Sequence, residues 1–391
     1  MFINRSAEHT LKRLLLHYPV VAVLGPRQSG KTTLVRHVCE DKAYVLLEDL
    51  DTREFAQNDP RGFLAQYPDG AILDEVQRCP ELLSYLQGIV DREQRPGHFI
   101  LTGSQQFSLH SGLSQTLAGR VALLPLLPFS LPALEGAQCV PEQLVDMLWM
   151  GAYPPIHARG HDPANWYANY VRTYIERDVR DLINVRDLSA FQRFVRMCAG
   201  RSGQLVNLSN LAGDCGITHN TAKAWLGVLE ASYLVYLLKP YHRNFNKRLV
   251  KTPKLYFLDT GLAAWLLGIQ QPEHLRQHPL LGAIFESWVV AECLKARWHA
   301  GKEPNMYFWR DRSGHEVDIL VDQGINAIPI EIKSGQTIAA DFFHPLERWQ
   351  DIAGDYAAPA ALVYGGDSRQ KRTNCDVIPW RQIAQLTKQL A

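Results

Sequence analysis

The sequence predicts an α/β protein: a mostly parallel sheet, then a helical segment, a helix-turn-helix with a β wing, and a second α/β unit. Three observations carry this reading. Short apolar runs alternate with helical patterns through residues 1–135, a Gly-centred helix pair occupies 201–268, and strand-length apolar runs return behind a long apolar helix in 269–391. Residues 136–200 read as helical.

The elements follow in order. Val20–Leu24 is a short apolar strand, succeeded by a Gly-rich turn and a helix from Lys31 to Cys39. Tyr44–Leu47, Ala71–Leu73 and Phe99–Thr102 are further strands, each followed by polar or turn-forming residues. Such repetition makes the strands parallel, with helices on both faces. Pro125, Pro128 and Pro132 punctuate the end of this unit. Farther on, Tyr167, Tyr170, Val171 and Tyr174 fall at helical spacing, which predicts a packed helix face and not an aromatic ligand box. Leu208, Leu211 and Ala212 precede a Gly216-Ile217 turn, Thr218 stands at the N-cap position, and Ala222, Trp225, Leu226 and Leu229 follow. Strands at Tyr233–Leu238 and Lys254–Leu258 would complete a winged helix. The last unit holds a helix around Leu280–Ala296 and strands at Met306–Trp309, Glu316–Val321 and Ala327–Ile332.

Composition narrows the class. A chain of 391 residues can bury several cores, and 46% hydrophobic with 21% charged residues is ordinary for a globular protein. No run reaches the ~18 apolar residues of a membrane span, because Val121–Leu131 is broken by Pro125 and Pro128. Arg5 and Glu8 arrive before any apolar leader segment, so the expected location is cytoplasmic. Seven scattered cysteines, with no zinc-ligand spacing, read as reduced thiols. A net charge of +1 means that any nucleic-acid contact must rest on a local patch.

Gly25-Pro26-Arg27-Gln28-Ser29-Gly30-Lys31-Thr32 fits GxxxxGK[ST], the phosphate-binding P-loop, and it lies between a strand and a helix as its mechanism demands. The glycines let backbone N–H groups turn toward phosphate oxygens at a helix N-terminus. Lys31 reaches the β- and γ-phosphates, Thr32 ligates Mg²⁺, and Thr33 continues the loop into the helix. Ala71-Ile72-Leu73-Asp74-Glu75 is an apolar strand ending in two carboxylates. Asp74 is expected on the Mg²⁺ side and Glu75 as the base that polarises the attacking water. Ser104, after the strand at Phe99–Thr102, is a candidate γ-phosphate sensor. Arg120 is a candidate arginine finger supplied by a neighbouring subunit, which implies a homo-oligomer. The cofactors expected here are ATP and Mg²⁺.

GPRQSGKTTL, AILDEVQ, FILTGS and LAGRVALLPLLPFS in this order resemble the AAA-type P-loop ATPases of bacteria and archaea that carry a C-terminal domain of unknown function. The resemblance covers nearly the whole chain. It implies a P-loop NTPase sheet of AAA/RecA-like type. Family members more often have an apolar residue where Ser29 stands, a difference that should alter only the loop's packing.

In the last unit, His315-Glu316-Val317-Asp318 and Glu331-Ile332-Lys333 lie on successive strands. Glu331 and Lys333 share a face, because strand side chains alternate. If the strands are neighbours, Asp318 and Glu331 can share Mg²⁺ or Mn²⁺, and Lys333 can orient a water. Glu286 lies on an apolar helical stripe, where a carboxylate is costly unless it is paired or metal-bound. This arrangement resembles the PD-(D/E)xK restriction-endonuclease-like fold, which implies metal-assisted phosphodiester cleavage and Glu286 as a helical member completing the site.

Finally, Lys239, Arg243, Lys247, Arg248, Lys251 and Lys254 form a basic run without an acid, placed where a wing would meet a phosphate backbone. Two functions compete. One is an ATPase whose cycle drives or gates action on DNA in repair, recombination or defence, with or without cutting. The other is a nucleotide-regulated switch for a protein partner, its nuclease-like domain inactive.

Overall fold

The computed structural model describes residues 2–104, 117–179, 187–241, 252–311 and 313–391. The first sheet contains β1 (Val20–Leu24), β2 (Ala43–Leu46), β3 (Ala71–Asp74), β4 (Phe99–Gly103) and β5 (Val121–Pro125). The strands are parallel in the order β2-β3-β4-β1-β5. All five β1 residues are buried, as a sheet covered on both faces requires. Val21 and Val23 pack with Ile72 and Ile100 beneath helices Ala7–Leu15 and Lys31–Val38. Val20, Ala22 and Leu24 face the opposite way, toward helix Leu82–Glu93.

Two details of this sheet go beyond the sequence pattern. The proline-broken run contains a real strand, β5, which lies at the sheet edge with Pro125 at its last position. Proline is tolerated there because no interior ladder bond is lost. More consequentially, β4 inserts between β1 and β3, so its C-terminal end emerges between the P-loop and Asp74.

The next region is helical, with helices Leu144–Met150, Pro154–Arg159, Pro163–Tyr170 and Leu188–Ala199. The third continues as wider π-type turns over Val171–Val179. Its aromatic face is packed: the ring centroids of Trp166 and Tyr170 lie 4.9 Å apart, and those of Tyr170 and Tyr174 5.2 Å apart. Helices Leu208–Cys215 and His219–Ala231 meet at Gly216, whose φ of 69° places it in the left-handed region. Thr218 caps the second helix, its Oγ1 accepting the Thr221 N–H at 3.1 Å.

β6 (Val235–Pro240) and β7 (Lys254–Phe257) pair antiparallel. They do not stand apart as an independent wing. β6 also pairs with β8 (Met306–Arg310), which continues into β9 (Glu316–Asp322), β10 (Ala327–Lys333), β11 (Ala360–Tyr364), β12 (Gln370–Lys371) and β13 (Cys375–Pro379). The result is one mixed eight-stranded sheet, β12-β13-β11-β10-β9-β8-β6-β7, continuous across the expected 268/269 boundary. Helix Leu281–His299 lies between this sheet and the first α/β unit. It is buried nearly all round, Ser287, Glu292, Lys295 and His299 included. Among the described residues, no helix is long and apolar enough to cross a membrane. The seven cysteines are free thiols.

Asp259 ties the middle of the chain together. One carboxylate oxygen accepts the Leu262 N–H at 2.9 Å, capping helix Thr260–Leu266, and the Tyr167 hydroxyl at 2.6 Å. The other accepts the Ala152 N–H at 2.8 Å. Asp259→Ala leaves the Ala152 and Leu262 N–H groups unpaired, while the Tyr167 hydroxyl keeps the Met150 carbonyl at 3.0 Å, and should cost on the order of 2 kcal/mol. A lowered urea midpoint checks this, and Asp259→Asn should recover part of the loss.

Candidate functional site

The loop between β1 and helix Lys31–Val38 holds its shape through backbone geometry that its sequence permits. Gly30 has a φ of 92°, and a Cβ on Gly25 would stand 2.1 Å from the Leu126 carbonyl oxygen. Both positions therefore need glycine. Gln28 also adopts a left-handed φ of 61°. Lys31 lies inside the curl, its Nζ donating to the carbonyls of Gly25 at 3.0 Å and Pro26 at 2.9 Å. Burial lowers the Lys31 ammonium to about 8, despite Glu75 and Asp74 nearby. The lysine thus has only neutral direct partners, and a triphosphate would supply the missing charge.

The parallel sheet brings the other residues to the same end. Thr32 Oγ1 donates to Asp74 Oδ2 at 2.9 Å, and the Tyr44 hydroxyl donates to the same oxygen at 2.6 Å. Thr102 Oγ1, at the end of β4, donates to Asp74 Oδ1, and the Glu75 N–H reaches Thr102 Oγ1 at 3.3 Å. Glu75 has a left-handed φ of 58°. Its carboxylate accepts from Gln77 Nε2 and, at 3.4 Å, from the Ser104 hydroxyl. A hydroxyl and a carboxylate in direct contact beside the P-loop form a hard oxygen pair that fits Mg²⁺. The cavity here measures about 960 Å³ and is lined by Lys31, Thr32 and Glu75 on one side and by Phe2, Pro154 and Trp166 on another.

Sequence reasoning missed what braces the loop. Buried Arg5 donates to the Ser29 carbonyl at 3.0 Å, to the Leu127 carbonyl, and to the Pro128 carbonyl at 3.4 Å, with its guanidinium 4.8 Å from the Phe129 ring centroid. On the other flank, the Tyr170 hydroxyl donates to the Arg27 carbonyl at 3.4 Å. Arg27 itself lies 3.6 Å from Glu48, and Thr33 is exposed at the cavity wall. No motif marks Arg5. Only the fold brings it to the loop.

Arg120 stands just before β5, at the end of the sheet opposite its own P-loop, and pairs with Asp91. It therefore cannot reach the phosphates of its own subunit.

The second candidate centre also assembles. β9 and β10 are antiparallel neighbours with Ile319 opposite Ile330, which brings Asp318 beside Glu331. The Ile332 N–H donates to Asp318 Oδ2 at 2.9 Å, and Lys333 Nζ donates to Glu331 Oε1 at 2.5 Å. Glu286 joins from helix Leu281–His299. The unexpected member is Lys254. Expected in a basic surface run, it is instead 4% exposed. Its Nζ lies 3.2 Å from Glu286 Oε1 and 3.9 Å from Asp318 Oδ1, and it contacts Glu316. The cause is strand alternation: Lys254 and Tyr256 point to the same face of β7, and the Tyr256 hydroxyl donates to Glu286 Oε1. Among the described residues, no group of three or more His, Cys, Asp or Glu side chains stands as a ready metal site. Here an ammonium, within 4 Å of both Glu286 and Asp318, stands where the divalent ion was expected. Burial, followed by the neighbouring Asp318 charge, raises Glu286 to about 7 and Glu331 to about 8. Of the remaining basic residues, Lys239 is exposed on β6, and Arg243, Lys247, Arg248 and Lys251 lie outside the described residues.

A P-loop, a strand-end Asp-Glu pair and a parallel sheet with β4 between β1 and β3 together define an AAA-type P-loop ATPase, and the chain belongs to that family, in the branch with a C-terminal domain of unknown function. Family models match residues 17–134 as an AAA domain, 141–273 as a domain of unknown function (DUF8612), and 281–383 as a domain of unknown function (DUF4143). The uncharacterized protein Rv2008c of Mycobacterium tuberculosis is 34% identical over 375 residues, covering 94% of this chain and 81% of its own length. Among solved structures, the Walker-type ATPase PABY2304 of Pyrococcus abyssi is similar over 68% of this chain and 96% of its own, at 16% identity and a TM-score of 0.45. The Thermotoga maritima RuvB Holliday junction branch migration motor is similar over 60% and 90% respectively, at 17% identity and a TM-score of 0.31.

Two outcomes follow from the loop's geometry. Arg5→Ala frees the Ser29 carbonyl and should weaken ATP binding about tenfold, or about 1.4 kcal/mol, in an equilibrium titration. Because free Lys31 loses its proton near pH 8 and bound phosphates hold it, ATP binding at pH 8.5 should take up protons. Calorimetry in buffers of different ionisation enthalpy reads that uptake, which should vanish in Lys31→Met.

Proposed function

We propose that this chain hydrolyses ATP with Mg²⁺ and uses the cycle to drive or gate action of its helix-turn-helix region on DNA. The observation that carries the hydrolytic part is the meeting of Lys31, Thr32, Asp74 and Glu75 at one open end of the sheet. Thr32 and Asp74 would hold Mg²⁺, which offsets phosphate charge when bound. Lys31 would bind the β- and γ-phosphates. Glu75 would accept the proton of the attacking water, once its carboxylate turns from Gln77 and Ser104 toward the cavity. Ser104, touching Glu75, would report the γ-phosphate to that base. Arg120 would serve the site of an adjacent copy in a homo-oligomer. Its pairing with Asp91 is partly exposed and so exchanges readily.

Support for DNA comes from surface chemistry. Thr218, His219, Asn220 and Lys223 are exposed along the second helix of the helix-turn-helix pair, and exposed Lys239 leads into the basic run. Polar and cationic side chains in that order suit a phosphate backbone. A specific observation favours the second reading, a nucleotide-regulated switch for a protein partner. Lys254 is withdrawn from the basic run and neutralises the carboxylates on which cutting would depend.

ATP hydrolysis measured with and without single-stranded, duplex and branched DNA separates the two. Stimulation by one form, absent in Lys31→Ala, supports the DNA reading, whereas DNA-indifferent turnover overturns it in favour of the switch. Glu75→Gln should keep ATP affinity while lowering turnover by about 10²- to 10⁴-fold.

A further inference from the structure

Four carboxylates converge between helix Leu281–His299 and the large sheet: Glu286, Glu316, Asp318 and Glu331. Burying so much like charge is costly unless cations join it. Lys333 serves Glu331 from the same strand at 2.5 Å, and Arg310 approaches Glu316 at 3.6 Å from the rim. At the centre stands Lys254, only 5% of its side chain exposed, with three carboxylates around one ammonium. One carboxylate oxygen, Glu331 Oε2, is buried without a hydrogen-bond partner among the described residues.

Lys254 is held firmly. Its strand pairs with β6 through Leu238 and bridges to Leu205. Three residues on, the Phe257 N–H reaches Ser202 Oγ at 3.3 Å, and that hydroxyl meets Ser287 of the long helix at 2.8 Å. The lysine comes from the region matched at 141–273, whereas Glu286, Glu316, Asp318 and Glu331 all come from the region matched at 281–383. Its charge therefore both completes the cluster and clamps the two regions together.

We infer that Lys254 is the built-in counter-ion of this centre: its ammonium takes the position of a divalent cation, and its removal turns the carboxylates into a divalent-ion site. The reasoning is steric and electrostatic. An ammonium within 4 Å of Glu286 and Asp318 occupies the space between their oxygens and repels a second cation. With that charge gone, hard oxygen ligands remain, and they suit Mg²⁺ or Mn²⁺. This inference is independent of the ATP site and of whether DNA is the partner.

The test is Mn²⁺ titration of full-length, nucleotide-free protein, with free Mn²⁺ followed by electron paramagnetic resonance. Lys254→Met keeps most of the aliphatic stem and should gain one Mn²⁺ site at least tenfold tighter than any in the wild type. Lys254→Met/Asp318→Asn should lose that gain. Equal Mn²⁺ binding by the single and double variants would overturn the inference. A second measurement needs no variant: wild-type protein is loaded with Fe²⁺, treated with ascorbate and peroxide, and its fragments are mapped by mass spectrometry. No cut is expected within residues 316–333, and a cut there means that a metal ion enters beside Lys254 and the idea fails.

Discussion

The structure depends on how the short segment after β5 satisfies its backbone. The Leu126 N–H donates to the Leu24 carbonyl at 2.6 Å, and Arg5 takes the Leu127 and Pro128 carbonyls. Lys295 Nζ takes the Phe129 carbonyl at 2.7 Å, and the Phe129 N–H goes to the Ala152 carbonyl at 2.9 Å. Glu292 accepts the Leu131 N–H at 2.9 Å. The partners come from four different parts of the chain. Buried backbone groups must be paired, so this one segment draws the P-loop strand, the N-terminus, the helical region and the long C-terminal helix to a common point. Pro128 suits the middle of it, having no N–H to satisfy.

That constraint explains why the ATPase unit and the large sheet are joined so closely. Helix Leu281–His299 presents Glu292 and Lys295 to the segment behind the P-loop and, six residues earlier, Glu286 to the carboxylate cluster. At ~1.5 Å rise per residue, the two centres are about 9 Å apart along one rigid rod. The Glu292–Lys295 pair is almost fully buried, and removing either partner would strand the other's charge and one backbone group at once. The continuity of the eight-stranded sheet through β6 adds a second mechanical link between the helix-turn-helix region and the C-terminal unit.

The nucleotide site was legible because its chemistry is local: a loop, a hydroxyl and a strand-end carboxylate each announce themselves within a few residues. The pairing of Asp318 with Glu331 was legible in part: strand alternation put Glu331 and Lys333 on one face, and the antiparallel pairing of β9 with β10 meets the condition that the strands be neighbours. What the sequence did not disclose is long-range order. The insertion of β4 between β1 and β3, which brings Thr102 and Ser104 to Asp74 and Glu75, is a property of topology. Arg5 acts on residues more than a hundred positions away, without a pattern to mark it. β5 was obscured by its prolines. Lys254 was misread because charge density in sequence suggested a surface, whereas its strand turns that side chain inward.

Two buried lysines show how partners decide what a buried cation can do. Lys31 and Lys254 are similarly inaccessible, and burial alone would lower both. Lys31 ends near 8, because its direct partners are neutral carbonyls and the carboxylates lie farther off. For Lys254, Glu286, Asp318 and Glu316 overcome burial together and hold the ammonium above its ordinary value. The first lysine therefore carries an unmet demand for anionic charge, and it faces a cavity through which a triphosphate can supply it. The second has its anions already, and it faces protein on every side. The same residue type, buried to the same degree, is a binding group in one centre and a structural ion in the other, and the distinction rests wholly on whether negative charge is built in or must arrive with a ligand.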